Sequence, residues 1–183
     1  MYWYKNIYHN LIAAGIGIAL LMPACKPAIK EDATAKYFDL KAYFKADSAR
    51  LSNLNKPVRK TVTHNGVTET KEVKIDDWSQ ELSLFSQSDI NKPAWRDSYK
   101  VQTTPTMAIY TAIDDDLKTR EIIVNKTDDD KVKYIVIYNY TKNLLYYTKE
   151  KLTYWPDSLY KIEKTQQVRL LGLNKYVITG SLN

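Results

Sequence analysis

Acyl-transfer and hydrolytic chemistry need a nucleophile beside a base, and this chain is poor in bases. It has two histidines, His9 and His64, and one cysteine, Cys25. Only His64 lies beyond Cys25. It flanks the pair Asn65–Gly66, and no G-x-S-x-G sequence supplies a serine elbow. One imidazole cannot build a zinc centre that takes three or four nitrogen and sulfur ligands. Two acidic triplets, Asp114–Asp116 and Asp128–Asp130, lack the alternating ligand spacing and glycine bend of a calcium loop. They read as turns, where aspartate bonds its own backbone. Glu121, Glu150 and Glu163 fall on predicted strands, where a solvent-facing carboxylate is the ordinary arrangement. A glycosidase would need two carboxylates about 5–9.5 Å apart. The expectation is a chain without catalytic residues, metal or cofactor.

Aromatic residues are a stronger signal. Ten of the 15 tyrosines lie from Tyr99 onward. Tyrosine joins apolar area to a polar tip, and it is also a good strand former. Tyr138, Tyr140, Tyr146, Tyr147 and Trp155 are therefore candidates for contact with a sugar or lipid, with core packing as their other use.

Cys25 acquires a reading from what precedes it. Lys5 is the only fixed positive charge before an uncharged run from Leu11 to Met22, which Pro23, Ala24 and Cys25 follow. A charged start, a short apolar centre and a small residue before the cut describe a secretory signal peptide. As a helix, Leu11 to Ala24 would rise only about 21 Å, short of a hydrocarbon layer about 30 Å thick. The segment Leu21–Met22–Pro23–Ala24–Cys25 resembles the lipobox of bacterial lipoproteins, with Pro23 a departure where a small residue is usual. That resemblance implies cleavage between Ala24 and Cys25, diacylglycerol on the Cys25 sulfur and an acylated (typically palmitoylated) amino terminus. Two or more acyl chains hold a protein on a bilayer, whereas one does so only marginally. Lys26 stands where an aspartate would retain such a protein in the inner membrane, so the resemblance implies the outer membrane, at its periplasmic face or the cell surface.

Cleavage there would remove 24 of 183 residues and leave enough chain for one domain with a real core. The net charge is +6 over the whole chain, without a clustered basic arm, so no nucleic-acid partner is expected. With Cys25 acylated no thiol remains for a disulfide. The organisation read from the sequence is a signal peptide over 1–24, a tether over 25–33 and a single domain over 34–183.

Within that domain, Tyr37, Leu40, Phe44, Leu51 and Leu54 share a helical face over about 34–53, with Thr34 as N-cap and Asn55–Lys56–Pro57 as stop. Val58–Ile75 reads as a β-hairpin about Asn65–Gly66, pairing His64 with Val67, Val62 with Glu69 and Val58 with Val73. Its few apolar residues predict an exposed arm, or one partly covered by the helices. A second helix is expected over about 77–90, with Asp77 and Gln80 as a capping box and Trp78, Leu82 and Phe85 on one stripe. From Tyr99 the period changes to two. Strands over 99–103, 106–113, 117–125, 131–140, 144–154, 159–165 and 175–181, joined by short polar turns, predict an antiparallel meander. The strand around Ile135–Tyr140 is apolar on both faces and should be central and covered on both sides.

The segments YFDLKAYF, DDWSQELSLF and SDINKPAW, between Tyr37 and Tyr99, resemble Gram-negative lipoproteins to which no activity is attached. Asp47–Ser48–Ala49 and Asp157–Ser158–Leu159 resemble sites that some bacteria O-glycosylate on exported proteins. The fold class expected is α+β: two N-terminal helices and a β-hairpin packed on a curved antiparallel meander of about six to seven strands. The function expected is an outer-membrane-anchored lipoprotein of the cell envelope, a non-catalytic binding or assembly module. Its expected partners are the membrane, through the lipid anchor, and an envelope protein complex or a lipid or glycan ligand. A carrier of an apolar ligand on a tyrosine-lined sheet is one alternative, and a carbohydrate-active enzyme is another.

Overall fold

In the computed structural model of this chain, residues 35–169 and 171–182 are described; they belong to the compact unit 34–183. The signal peptide, Cys25, the tether and Thr34 lie outside the described residues.

The first helix, α1 (Leu40–Leu54), begins later than the apolar pattern predicts. Asp39 caps it by accepting from the Ala42 amide at 2.8 Å, a standard use of aspartate at a helix start. Asn55 ends it in the left-handed conformation (φ 50°) that commonly closes a helix, and Pro57 disfavours helical geometry at Lys56 beyond it. Leu40, Phe44 and Leu51 are buried on its inner face; Leu54, expected beside them, is half exposed.

The hairpin β1 (Val58–His64) and β2 (Val67–Val73) forms in the predicted register. Asn65 (φ 48°) and Gly66 (φ 90°) take the positive angles that its two-residue turn needs. The hairpin is not a free arm. β1 pairs antiparallel with the last strand, Thr61 opposite Thr179 and His64 opposite Tyr176, so the hairpin extends the main sheet. Cross-strand bonds between Thr61 and Thr70 (2.9 Å) and Thr63 and Thr68 (2.8 Å) replace the apolar contacts it lacks.

The second helix is two short ones. Asp77 accepts from the Gln80 amide (3.0 Å) and starts α2 (Trp78–Glu81) as predicted, but the chain kinks at Leu82 before α3 (Ser83–Ser86). Beyond the kink, Ser86 Oγ donates to the Ser83 carbonyl and Ser88 Oγ to the Leu84 carbonyl, side-chain bonds that compete with continuation of α3. Trp78, Leu82 and Phe85 are nevertheless all buried together.

Seven further strands follow: β3 (Tyr99–Thr103), β4 (Met107–Ala112), β5 (Thr119–Lys126), β6 (Val132–Lys142), β7 (Tyr146–Trp155), β8 (Leu159–Val168) and β9 (Gly172–Ser181). All pairings are antiparallel, and the order is β2-β1-β9-β8-β7-β6-β5-β4-β3. The fold is thus mostly one nine-stranded antiparallel sheet with few helices, larger than the six or seven strands expected because the hairpin joins it. The last strand begins before the span predicted over 175–181, and Gly172 (φ 82°) carries the reversal at its first residue.

The core lies between the helices and one face of this sheet. Tyr154 and Tyr160 are fully buried there with Phe44, Phe85, Ile135 and Ile137. Tyr154 meets Phe44 and Phe85 edge-on at ring separations of 5.1 and 5.9 Å, and its hydroxyl donates to Asp47. Tyr160 lies across the strand from Gly180, where any Cβ would fall inside its ring. Its hydroxyl donates to Glu81, which also takes Lys60 at 2.7 Å and so ties α2 to β1.

Burial raises the Tyr99 hydroxyl to about 12. Burial first, and then hydrogen bonds to Asp47 and Glu81, raise Tyr154 and Tyr160 further. The unfolded chain would ionise these groups near pH 10. Their stabilisation is therefore complete below pH 10 and is lost as pH rises, through about 12 for Tyr99. In an alkaline titration followed by ultraviolet difference absorbance and circular dichroism, these tyrosines should ionise only as the sheet unfolds. Ordinary ionisation near pH 10 with the fold intact would contradict the packing.

Candidate functional site

The other face of the sheet carries no helix among the described residues. Strand β6 was expected to be covered on both sides, but only Ile135, Ile137 and Asn139 are; Val136 is half-buried and Tyr138 is 37% exposed. The predicted strand was long and apolar because its second set of side chains lines an open trough of about 1230 Å³.

The trough floor is set by register. Tyr138 lies opposite Lys151 and Tyr140 opposite Lys149 across β6 and β7; the next strand places Glu163 beside Lys151 and Thr165 beside Lys149. Residues two apart on one strand share a face at a spacing of about 6.8 Å, so tyrosine and lysine form two parallel rows. The ammonium of Lys149 stands 5.9 Å from the Tyr140 ring centre and that of Lys151 5.8 Å from that of Tyr138. Lys161 holds Glu163 at 3.0 Å. The walls come from two loops at one end of the sheet, 113–118 and 143–145. Arg120, at a bulge in β5, donates to the Asp114 carbonyl (2.8 Å) and pairs with Asp115, which fixes the first wall. Among the described residues, Lys118, Lys142, Lys149 and Lys151 have no carboxylate partner. The floor therefore offers ring faces between unneutralised ammonium groups.

Of the aromatic candidates from the sequence, Tyr138 and Tyr140 line this trough. Tyr147 and Trp155 share its face by alternation but lie outside it, Tyr147 donating to Gln167 at 3.1 Å. Tyr146 alternates to the helix-bearing side, so the five do not form one surface. Lys149 and Lys151 were missed as site residues. Their alternation with Glu150 in sequence was the available signal, but their apposition to tyrosine depends on the β6–β7 register.

The three glutamates do not converge. Glu121 and Glu163 share the open face, with the β6 and β7 residues Tyr138 and Lys151 between them. Three strand spacings amount to about 14 Å. Glu150 was expected to face solvent and instead lies buried on the helix side, with Lys164 Nζ at 3.2 Å and Asn139 Nδ2 at 3.4 Å. Asn139 also donates to Ser88 Oγ at 2.9 Å, which ties the end of α3 to the sheet beneath the trough.

His64 stacks on Tyr176 at 4.3 Å beside the hairpin turn. The Asp114–Asp116 triplet turns on its own side chain, Asp114 accepting from the Asp116 amide at 2.9 Å. Around the other triplet, Lys126 and Lys131 engage Asp130 and Asp129 at 2.8 and 2.6 Å, at the opposite end of the sheet. Among the described residues no group of three or more His, Cys, Asp or Glu side chains is placed to hold a metal ion. No helix among them is long and apolar enough to cross a membrane. Ser48, read as a glycosylation site, is buried and donates to the Trp78 carbonyl at 3.2 Å, which denies it to a transferase. Comparison with protein-family models, with curated proteins and with solved structures finds no match.

Proposed function

We propose that this chain is a lipid-anchored, non-catalytic binding module of the bacterial outer membrane, held by acylated Cys25, and that its trough takes an anionic ligand. The observation that carries the ligand reading is the pairing of Tyr138 with Lys151 and of Tyr140 with Lys149 on an uncovered face. Ring faces accept the apolar side of a sugar or an acyl-linked headgroup. The adjacent ammonium groups bind carboxylate or phosphate, the stronger, charge-assisted kind of hydrogen bond. An acidic glycan and a phosphorylated headgroup share this chemistry. A carrier that encloses an apolar ligand is less well supported, because Phe44, Phe85, Tyr154 and Tyr160 fill the space beneath the helices.

The double substitution Lys149→Glu with Lys151→Glu tests the site. Each lost charge-assisted bond is worth about 1.5–3 kcal/mol, so affinity for an acidic oligosaccharide or a phosphorylated headgroup should fall at least 100-fold by calorimetry. Stability should hardly move, since both side chains are exposed. Binding of both probe classes that is unchanged, or insensitive to salt, would remove the trough as the site.

A further inference from the structure

The strand ends that meet the β1–β2, β4–β5, β6–β7 and β8–β9 turns all lie at one end of the sheet. Leucines crowd the tips there. Leu144 is 91% exposed, Leu145 68% and Leu171 79%, with Leu173 close behind. A lone exposed leucine means little. Three on two turns separated by a single pair of strands need a reason, because turn positions ordinarily go to Gly, Asn, Asp or Ser. Folding does not supply that reason. Asn143 makes the β6–β7 turn by accepting from the amides of Leu145 (2.9 Å) and Tyr146 (3.0 Å), and Gly172 supplies the positive φ of the other. The two turns are joined by the Arg169 amide, which donates to the Leu145 carbonyl at 2.9 Å, so the leucines are held outward together.

Cations surround them. Lys142 closes β6, Arg169 follows β8 and Lys175 lies in β9 opposite Thr165. None of the three is ion-paired among the described residues. Acids at this end lie to one side, in the 114–116 loop, where Arg120 engages Asp115, and at Asp97 before β3, which takes Lys36. Apolar tips within a basic collar match an anionic bilayer interface, where acyl chains lie beneath phosphates.

The described chain also starts at this end. Lys36 pairs with Asp97 at 2.6 Å, and the Tyr37 hydroxyl donates to the Arg96 carbonyl, both just before β3. Ten residues of extended chain reach at most about 35 Å, so residue 35 lies within that distance of Cys25. We propose that this end of the sheet is a second membrane contact, with the β6–β7 and β8–β9 leucines inserted among the headgroups of an anionic bilayer. Only the argument from tether reach rests on Cys25 being the anchor.

Because Cys25 is the chain's only cysteine, Leu145→Cys and Leu171→Cys each introduce a thiol for a fluorescent maleimide, and Asp129→Cys at the opposite end is the control. The full-length proteins are reconstituted in phosphatidylglycerol-containing vesicles with nitroxide-labelled acyl chains. Labels at 145 and 171 should be quenched at least threefold more than the label at 129. Adding Lys142→Glu, Arg169→Glu and Lys175→Glu should abolish that difference in anionic vesicles. Equal quenching at all three positions would overturn the proposal. So would shielding of 145 and 171 from aqueous iodide without vesicles, which would indicate a protein partner or a second copy. One label per chain is expected. Two would show that Cys25 is free and the anchor wrong, and the quenching comparison would then be made in a Cys25→Ala background.

Discussion

Tyr154→Ala should leave the domain barely stable. The ring is fully buried and touches Tyr43, Phe44 and Phe85. Its removal opens a cavity beneath α1, at a cost of about 3–5 kcal/mol. The hydroxyl also donates to Asp47, whose other oxygen takes Arg50 Nε at 2.6 Å. Losing that donor leaves a buried carboxylate short of one partner, for roughly a further 1–3 kcal/mol. Domains of this kind are stable by about 5–15 kcal/mol in total. Tyr154→Phe separates the two effects: it keeps the ring and should cost only the second. Urea denaturation should rank wild type, Phe and Ala in that order. An alanine variant within about 1 kcal/mol of wild type would mean that the helices do not depend on this ring.

What could be read from sequence follows from how local each determinant is. Asn65–Gly66 announces its own geometry, so the β1–β2 register was available from two residues. The stripe of Trp78, Leu82 and Phe85 correctly named buried side chains, yet the helix it predicts kinks at Leu82 and stops early, where Ser86 and Ser88 bond backwards to the main chain. The pairing of β1 with β9 joins residues more than 100 positions apart and leaves no local mark, which is why the hairpin read as an arm and the strand count fell short. The trough is an intermediate case. Alternation puts Lys149 and Lys151 on one face and Glu150 on the other, but only the cross-strand register sets those lysines beside Tyr140 and Tyr138. The apolar second face of β6 was legible, and covering it was the wrong use to infer from it. The leucine-bearing end depends wholly on topology, since its turns are scattered over 100 residues of chain.

The remaining large effect concerns Cys25, the residue from which the proposed address depends. Cys25→Ala should remove the acceptor sulfur, and with it both diacylglycerol transfer and the cleavage that follows it. An uncleaved precursor should accumulate, or the mature domain should appear in the soluble fraction. A pair of acyl chains is what holds such a protein stably, and the leucine turns alone would give weak, reversible and salt-sensitive attachment. Correctly cleaved variant that still resists extraction by salt would argue against acylation. Intact-mass analysis of the native protein extracted from membranes with detergent puts the question most directly. The expected species begins at Cys25 and carries a thioether-linked diacylglycerol and an amide-linked acyl group; a bare thiol at Cys25 would contradict lipid anchoring.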